Sequence, residues 1–113
     1  MDETISGSSP VGRRLNRIPK AELKFLVHDG QRVRLTDRMT IGRDRSNAII
    51  IDDPLVSRVH CVVHRIRSSW YVEDSGSRNG TWVNDKRIRP GKAVRLEPGD
   101  LIRLGGRIEV SLS

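Results

Sequence analysis

Apolar and polar residues alternate in short runs from residue 21 onward, and turn-forming residues separate the runs. Alternation with a period of two is typical of strands that bury one face, and no long stretch shows the spacing of an amphipathic helix. The pattern predicts about ten to eleven short strands. They are residues 23–28, 32–35, 39–42, 48–51, 60–66, 70–73, 81–83, 87–88, 93–96, 101–104 and 107–112.

Turn residues between these runs predict how the strands connect. An Asp-Gly pair at residues 29–30 favours a two-residue hairpin, because both residue types tolerate a positive φ. An Asn-Asp pair and two Pro-Gly pairs mark further turns at residues 84–85, 90–91 and 98–99. Many short strands with closely spaced turns indicate an all-β fold, and we expect a monomeric, antiparallel-rich β-sandwich of about eleven strands.

The start of the chain does not share this pattern. Residues 1–20 are rich in Ser, Gly, Pro and Arg and carry no sustained period, so we expect a flexible, basic N-terminal arm. We expect residues 21–113 to form one domain, because the chain is near the size at which a single core suffices. Of the net charge of +7, the arm contributes +2, from four basic and two acidic residues, and the domain contributes the remaining +5.

Composition restricts the class of protein. A single cysteine excludes an internal disulfide framework, and neither a secretory leader nor an apolar stretch of about 18 residues is present. We therefore expect a cytoplasmic protein, or a nuclear one in a eukaryotic cell, that does not insert into membranes. Only four of the 21 basic residues are lysine, and the others are arginine, whose planar guanidinium best matches phosphate oxygens.

Three polar clusters lie where predicted strands and loops meet. We expect them to converge, because loops at one end of a two-sheet fold lie close together and often carry binding residues. The clusters are Gly42-Arg43, Ser57-Arg58-Val59-His60, and Ser77-Arg78-Asn79-Gly80-Thr81 with Asn84. The predicted pocket is lined by Arg43, Ser57, Arg58, Arg78 and Asn79.

The side chains of this predicted pocket are almost all hydrogen-bond donors. Arginine side chains and a serine hydroxyl suit a phosphate dianion, because guanidinium groups form charge-assisted hydrogen bonds with its oxygens. The Asn79 amide both donates and accepts, which suits it to hold the backbone of an extended peptide. The residues therefore indicate a phosphopeptide-binding site that uses no metal or cofactor.

The order and spacing of the three clusters resemble the signature of the forkhead-associated (FHA) family. The resemblance spans residues 41–84, and the predicted strands from residue 21 to residue 112 match the eleven-stranded sandwich of that family. It implies a phosphothreonine-binding module of kinase-dependent signalling, not an enzyme. The matching residues are Gly42-Arg43, then Ser57-x-x-His60 fourteen residues beyond Arg43, then Ser77-x-Asn79-Gly80-Thr81-x-x-Asn84.

Roles for individual residues follow from the resemblance. It implies that Arg43 and Ser57 bind the phosphate. Arg58 and Arg78 would add phosphate contacts, and Asn79 would hold the ligand backbone. The implied partner is a phosphothreonine-containing protein that a Ser/Thr kinase has phosphorylated. Structural roles in the loops are implied for Gly42, His60, Gly80, Thr81 and Asn84.

The arm supplies a second candidate ligand. Thr4 follows two acidic residues, and the intervening chain can reach the loops of its own domain at about 3.3 Å per residue. Some bacterial members of the family are switched off in this way. We therefore hypothesise that phosphorylated Thr4 occupies the pocket of its own domain or of a second copy. The alternative is an unmodified tail or linker.

Nucleic acid is the main alternative partner, since a basic surface attracts any polyphosphate. Against it, the chain holds two tryptophans, one tyrosine and one phenylalanine, too few and too scattered for a base-stacking platform. We therefore regard nucleic acid as a disfavoured partner.

Catalytic and zinc-binding interpretations fit the residues less well. Ser57 and His60 lie at a loop-to-strand junction with no evident carboxylate to orient the histidine as a base. Cys61 and the three histidines of the chain lack the paired spacing of structural zinc ligands. We therefore expect no catalytic or metal-ligating residue, and we expect Cys61 to pack in the core.

Overall fold

The computed structural model describes residues 24–113. The arm, Thr4 and residue 23 at the predicted start of the first strand lie outside the described residues. The regular elements of the described part are eleven strands, close to the predicted bounds. They are β1 (Phe25–His28), β2 (Gln31–Arg34), β3 (Arg38–Gly42), β4 (Ile49–Ile50), β5 (Cys61–Ile66), β6 (Ser69–Asp74), β7 (Thr81–Val83), β8 (Lys86–Arg87), β9 (Val94–Leu96), β10 (Leu101–Leu104) and β11 (Ile108–Leu112).

The strands form two sheets. One has six strands in the order β2-β1-β11-β10-β7-β8, and the other has five strands in the order β4-β3-β5-β6-β9. Strand pairs are antiparallel except β3 and β4, which run parallel with Ile41 opposite Ile49. The predicted antiparallel-rich sandwich is therefore confirmed. Within residues 24–113, no helix is long and apolar enough to span a bilayer.

The core lies between the two sheets, and alternation along each strand decides which side chains enter it. Along β5, Cys61 and Val63 are fully buried, whereas Val62 and His64 are partly exposed. Side chains of the other sheet, such as Ile102 on β10, complete the core. Full burial of a Val, Leu or Ile side chain contributes about 1.5–3 kcal/mol, so this layer fixes the strand ends from which the functional loops start.

Tight turns occupy the predicted positions at two hairpins. Between β1 and β2, Asp29 and Gly30 have φ of 51° and 77°, the left-handed values that a two-residue hairpin requires. Between β7 and β8, Asn84 and Asp85 have φ of 48° and 69°. These turns set the register of the edge strands of the six-stranded sheet.

Candidate functional site

Arg43 follows the end of β3 and contacts the loop that connects β4 to β5. Its backbone N–H donates to the Ser57 carbonyl at 2.9 Å, and its side-chain Nε donates to the Val56 carbonyl at 3.0 Å. The side-chain bond fixes the guanidinium through one N–H, and the two terminal NH₂ groups of the exposed side chain remain to serve a ligand. The structure therefore brings Arg43 to the loop that carries Ser57.

Ser57 connects that loop to the loop between β6 and β7. Its hydroxyl oxygen accepts a hydrogen bond from the Arg78 backbone N–H at 3.0 Å, which leaves the hydroxyl proton to donate to a ligand. The Asn79 side-chain Nδ2 donates to the Leu55 carbonyl at 3.0 Å. Because the side-chain amide also has a second N–H and a carbonyl oxygen, Asn79 can still donate a hydrogen bond to a ligand and accept one from it. The predicted residues of all three loops thus lie together.

Arg58 follows Ser57 and has an exposed side chain. Its backbone carbonyl accepts hydrogen bonds from the Asn47 side chain at 2.6 Å and from the Asp44 N–H at 3.1 Å. The same carbonyl passes so close to Gly42 that a Cβ on Gly42 would lie 2.2 Å from its oxygen. Glycine is therefore required at residue 42 for the β3–β4 and β4–β5 loops to pack together. Asn47, which joins these loops, was not among the residues predicted from the sequence.

His60 is fully buried and ties two of the loops together. Its Nδ1 accepts a hydrogen bond from the Ser57 N–H at 3.1 Å, so the ring proton lies on Nε2, which donates to the Gly80 carbonyl at 2.7 Å. Burial lowers the pKa of His60 below its ordinary value, although the bond to Gly80 and the Asp74 carboxylate act in the opposite direction. Neither ring nitrogen is left to act as a base toward the Ser57 hydroxyl.

Asp74 organises the loop that carries Arg78 and Asn79. Its buried carboxylate accepts hydrogen bonds from the Ser77 and Thr81 hydroxyls and from the backbone N–H groups of Gly76 and Ser77. Burial raises the pKa of Asp74, but these hydrogen bonds outweigh burial and hold the pKa below its ordinary value. Sequence analysis missed this residue, although an Asp before a Ser-Gly-Ser turn is a signal for a side chain that caps a loop.

Comparison with known proteins identifies the family. The family model for the FHA domain matches residues 39–105, more than half of the chain. The chain belongs to the FHA family. FHA domain-containing protein PS1 of Arabidopsis thaliana is 38% identical over 74 residues, which cover 64% of this chain and 5% of that protein. FHA domain-containing protein FhaB of Mycobacterium tuberculosis is 35% identical over 77 residues, 67% of this chain and 48% of that protein.

A solved structure supports the same relationship. The structure of Mycobacterium tuberculosis EmbR in complex with a low-affinity phosphopeptide superposes with a TM-score of 0.74 and 32% identity, covering 80% of this chain and 24% of EmbR. The chain spans less than half of the length of the related proteins PS1 and FhaB. The match therefore covers only part of each of these larger proteins.

The FHA loops converge at one end of the sandwich, but one predicted residue lies elsewhere. Asn84 follows Val83 at the opposite end of β7 from Gly80, so it does not line the pocket. Its side-chain carbonyl accepts from the Leu101 N–H at 2.9 Å, and its Nδ2 donates to the Asp100 carboxylate at 2.8 Å. Asn84 therefore braces the far end of the six-stranded sheet.

Arg87 is a residue near the FHA pocket that sequence analysis missed. Gly80 has a φ of +94°, and a Cβ built on it would lie 2.7 Å from Arg87 Nε. The guanidinium of Arg87 also lies over the Trp82 ring, 5.2 Å from its centroid. The exposed guanidinium of Arg87 thus lies beside Gly80, the residue that follows Asn79. The predicted turn at residues 84–85 does not signal this contact, because the contact depends on the exact register of β7 with β8 and on the conformation of the Arg87 side chain.

Cys61 lies in the core of the FHA domain, as predicted. It is fully buried, and burial raises the pKa of its thiol strongly. Among residues 24–113, no group of three His, Cys, Asp or Glu side chains is arranged to hold a metal ion.

The buried His60 predicts a pH-dependent stability of the FHA domain. Because its folded-state pKa lies below the ordinary value of 6.5, the unfolded chain binds the additional proton. The contribution of neutral His60 to the free energy of unfolding is complete above pH 6.5 and is lost as the pH falls through the folded-state pKa. Over this range the free energy of unfolding changes by at most about 1.4 kcal/mol per pH unit. Urea unfolding between pH 5 and pH 7.5, compared with His60→Gln, measures this slope. An equal slope in the variant would assign the pH dependence to other groups.

Proposed function

We propose that this FHA domain binds protein segments that contain phosphothreonine, through a pocket formed by Arg43, Ser57 and Asn79. One observation carries the proposal. The Arg43 guanidinium, which bonds the Val56 carbonyl, and the Ser57 hydroxyl, whose proton is free to donate, lie on adjoining loops. FHA domains are phosphopeptide-binding modules, and the related EmbR structure contains a phosphopeptide. The partner is therefore a protein that a Ser/Thr kinase has phosphorylated.

The phosphate would bind between the β3–β4 and β4–β5 loops. The terminal NH₂ groups of Arg43 supply two donors and a positive charge, and the Ser57 hydroxyl supplies a third donor. Arg58 and Arg78 stand next to Ser57 in two loops, and their exposed side chains would add positive charge. This arrangement suits a dianion, since the donors are fixed by bonds to the protein backbone before the ligand arrives.

The peptide backbone on either side of the phosphothreonine would lie against Asn79. Its position is fixed by the Leu55 carbonyl, and its free N–H and carbonyl oxygen match the acceptor and donor of one peptide unit. This contact is independent of ligand sequence. Asn79 would therefore contribute affinity for any extended phosphopeptide.

Binding without turnover is the activity that these residues support. His60, the residue that would serve as a base for Ser57, has both ring nitrogens bonded to backbone groups. We infer that the domain acts as an adaptor in the cytoplasm, or in the nucleus of a eukaryotic cell, where it recruits phosphorylated proteins.

Fluorescence anisotropy with three otherwise identical peptides tests the proposal. The peptides carry phosphothreonine, phosphoserine or unmodified threonine. Loss of the phosphate removes several charge-assisted bonds, so the unmodified peptide should bind at least about a hundredfold more weakly. The threonine methyl group is worth about 0.8 kcal/mol when buried, so phosphoserine should bind about fourfold more weakly. Equal affinity for the phosphorylated and unmodified threonine peptides would refute the proposal.

A further inference from the structure

The outer face of the six-stranded sheet carries an arginine and aromatic pattern near β7. Trp82 lies between buried Thr81 and Val83, so its side chain points away from the core. It pairs with Arg87 on β8 and with Arg103 on β10. Trp82 is therefore flanked by two guanidinium-bearing residues on the outer surface.

The same pattern recurs at the other side of this face. Phe25 precedes the buried Leu26 on β1 and pairs with Arg34 on β2. The guanidinium of Arg32 lies over the Phe25 ring, 4.1 Å from its centroid. Arg32 and Arg34 are exposed, and Phe25 is half-buried.

These four arginines, named the arginine face here, are Arg32, Arg34, Arg87 and Arg103. Two of the guanidinium groups lie on aromatic rings, which restricts their motion and leaves their N–H edges available to an anion. Two acidic side chains lie beside Arg103: Glu109, which pairs with it in the register of β10 and β11, and Asp85, which contacts its guanidinium. The surface keeps a positive excess, concentrated on Arg32, Arg34 and Arg87.

The arginine face is continuous with the phosphothreonine pocket. A Cβ on Gly80 would lie 2.7 Å from Arg87 Nε, and Gly80 directly follows Asn79, the residue that holds the ligand backbone in the proposed function. A peptide that leaves the pocket along Asn79 therefore meets Arg87 first. From there the sheet offers Arg103 on β10, beside Glu109 on β11. Arg32 and Arg34 follow on the far edge, two and four residues nearer the end of the sheet that carries Asn84.

We propose that the arginine face binds an acidic segment that adjoins the phosphothreonine in the same partner protein. The inference rests on the proposed function of the pocket and names the class of ligand that this domain selects. Carboxylates fit the guanidinium edges, which donate two parallel hydrogen bonds to them. Nucleic acid fits less well, because the Phe25 and Trp82 rings are covered by Arg32 and Arg87 and are not open for stacking with bases.

The dimensions of the sheet set the length of the segment. Adjacent strands lie about 4.8 Å apart, so the six strands span about 24 Å. An extended segment of about ten residues spans about 33 Å and can cross the whole face. The experiment therefore compares a short phosphothreonine peptide with peptides extended by such a segment, on either side of the phosphothreonine.

Fluorescence anisotropy at low salt measures the effect of the extension. One extension contains four glutamates, and the matched extension contains glutamines at the same positions. Exposed ion pairs are worth about 0.2–1 kcal/mol each, so four of them should tighten binding by at least about fourfold on the better side. Arg32→Gln/Arg34→Gln should remove about half of the free energy of this gain, because Arg87 and Arg103 remain in the variant. It should leave the affinity for the short peptide unchanged, because both replaced residues lie on the edge strand β2.

A charge-matched control keeps the test specific. Arg38→Gln/Arg95→Gln removes the same charge from the outer face of the five-stranded sheet and should keep the full gain. An equal loss in both double variants, or no gain with the wild-type protein, would overturn the proposal. The affinity for the short peptide would still report on the pocket.

Two further experiments test the class of ligand. A single-stranded oligonucleotide that bound more tightly than the glutamate extension, and lost affinity in Arg32→Gln/Arg34→Gln, would also overturn the proposal. Arg32→Glu/Arg34→Glu should instead favour a lysine extension, and failure to do so would count against the inference.

Discussion

Replacing Arg43 with alanine is expected to weaken phosphothreonine-peptide binding by at least about thirtyfold, because hydrogen bonds to a charged group are worth about 1.5–3 kcal/mol each and Arg43 would supply more than one of them. The variant removes both terminal NH₂ groups that the pocket offers. It also removes the Nε bond to the Val56 carbonyl, which costs about 1 kcal/mol of stability at most when water can replace it. Titration of a labelled peptide and a thermal melt separate the two effects.

Arg45→Ala is the matched control for this variant. Arg45 lies two residues further along the same loop and is exposed, so its removal should change binding less than threefold through long-range charge alone. Arg43→Lys should recover only part of the affinity, since one ammonium group cannot bond the Val56 carbonyl and clamp the phosphate together. Equal binding by Arg43→Ala and the wild-type protein would mean that the phosphate does not lie at the end of β3.

Replacing Asp74 with alanine is expected to have the largest effect on stability. Four donors lose their acceptor. The Thr81 hydroxyl is buried and costs about 1–3 kcal/mol when unsatisfied, and the three part-buried bonds are worth about 0.5–1.5 kcal/mol each, so a loss of about 3 kcal/mol or more is expected. A domain of this size loses about 4–8 °C of melting temperature per kcal/mol, which predicts a fall of more than about 12 °C. Differential scanning calorimetry measures it.

Asp52→Ala is the control for Asp74→Ala, since Asp52 is an exposed acid and its removal should shift the melting temperature little. Asp74→Asn should be intermediate in stability, because the Ser77 and Thr81 hydroxyls can turn to accept from the new amide.

The lowered pKa of Asp74 also predicts a dependence of stability on pH. The contribution of the Asp74 carboxylate to the free energy of unfolding is present above the ordinary carboxyl pKa of 3.8 and is lost as the pH falls through the folded-state pKa. A melting temperature of Asp74→Ala within a few degrees of the wild-type value would contradict the assigned role.

The sequence predicted the strands well because one face of each strand is buried, and burial imposes the period of two. The alternation of Cys61 and Val63 with Val62 and His64 is an example. Errors occur at the ends of strands. The β5–β6 turn starts at Arg67 with a φ of 58°, a conformation that composition alone does not signal, so β6 begins one residue earlier than predicted.

The candidate pocket and some of its supporting residues, such as Gly42 and His60, were predicted, but other supporting residues were not. Arg43, Ser57 and Asn79 stand in loops whose order along the chain is visible in the sequence. Asp74 was missed although the Ser-Gly-Ser turn that follows it is a local signal for a capping side chain. The contact of Arg87 with Gly80 has no such signal, because it depends on side-chain packing in the folded domain.

The arrangement of the pocket as one unit is the central claim, and an NMR titration tests it most directly. With a ¹⁵N-labelled domain and a phosphothreonine peptide, we expect the largest shifts at the backbone amides of Arg43, Ser57, Arg78 and Asn79 and at the Arg43 Nε–H. The unmodified peptide should leave these signals in place. Shifts confined to the opposite end of the sandwich, around Asn84 and Asp100, would contradict the account.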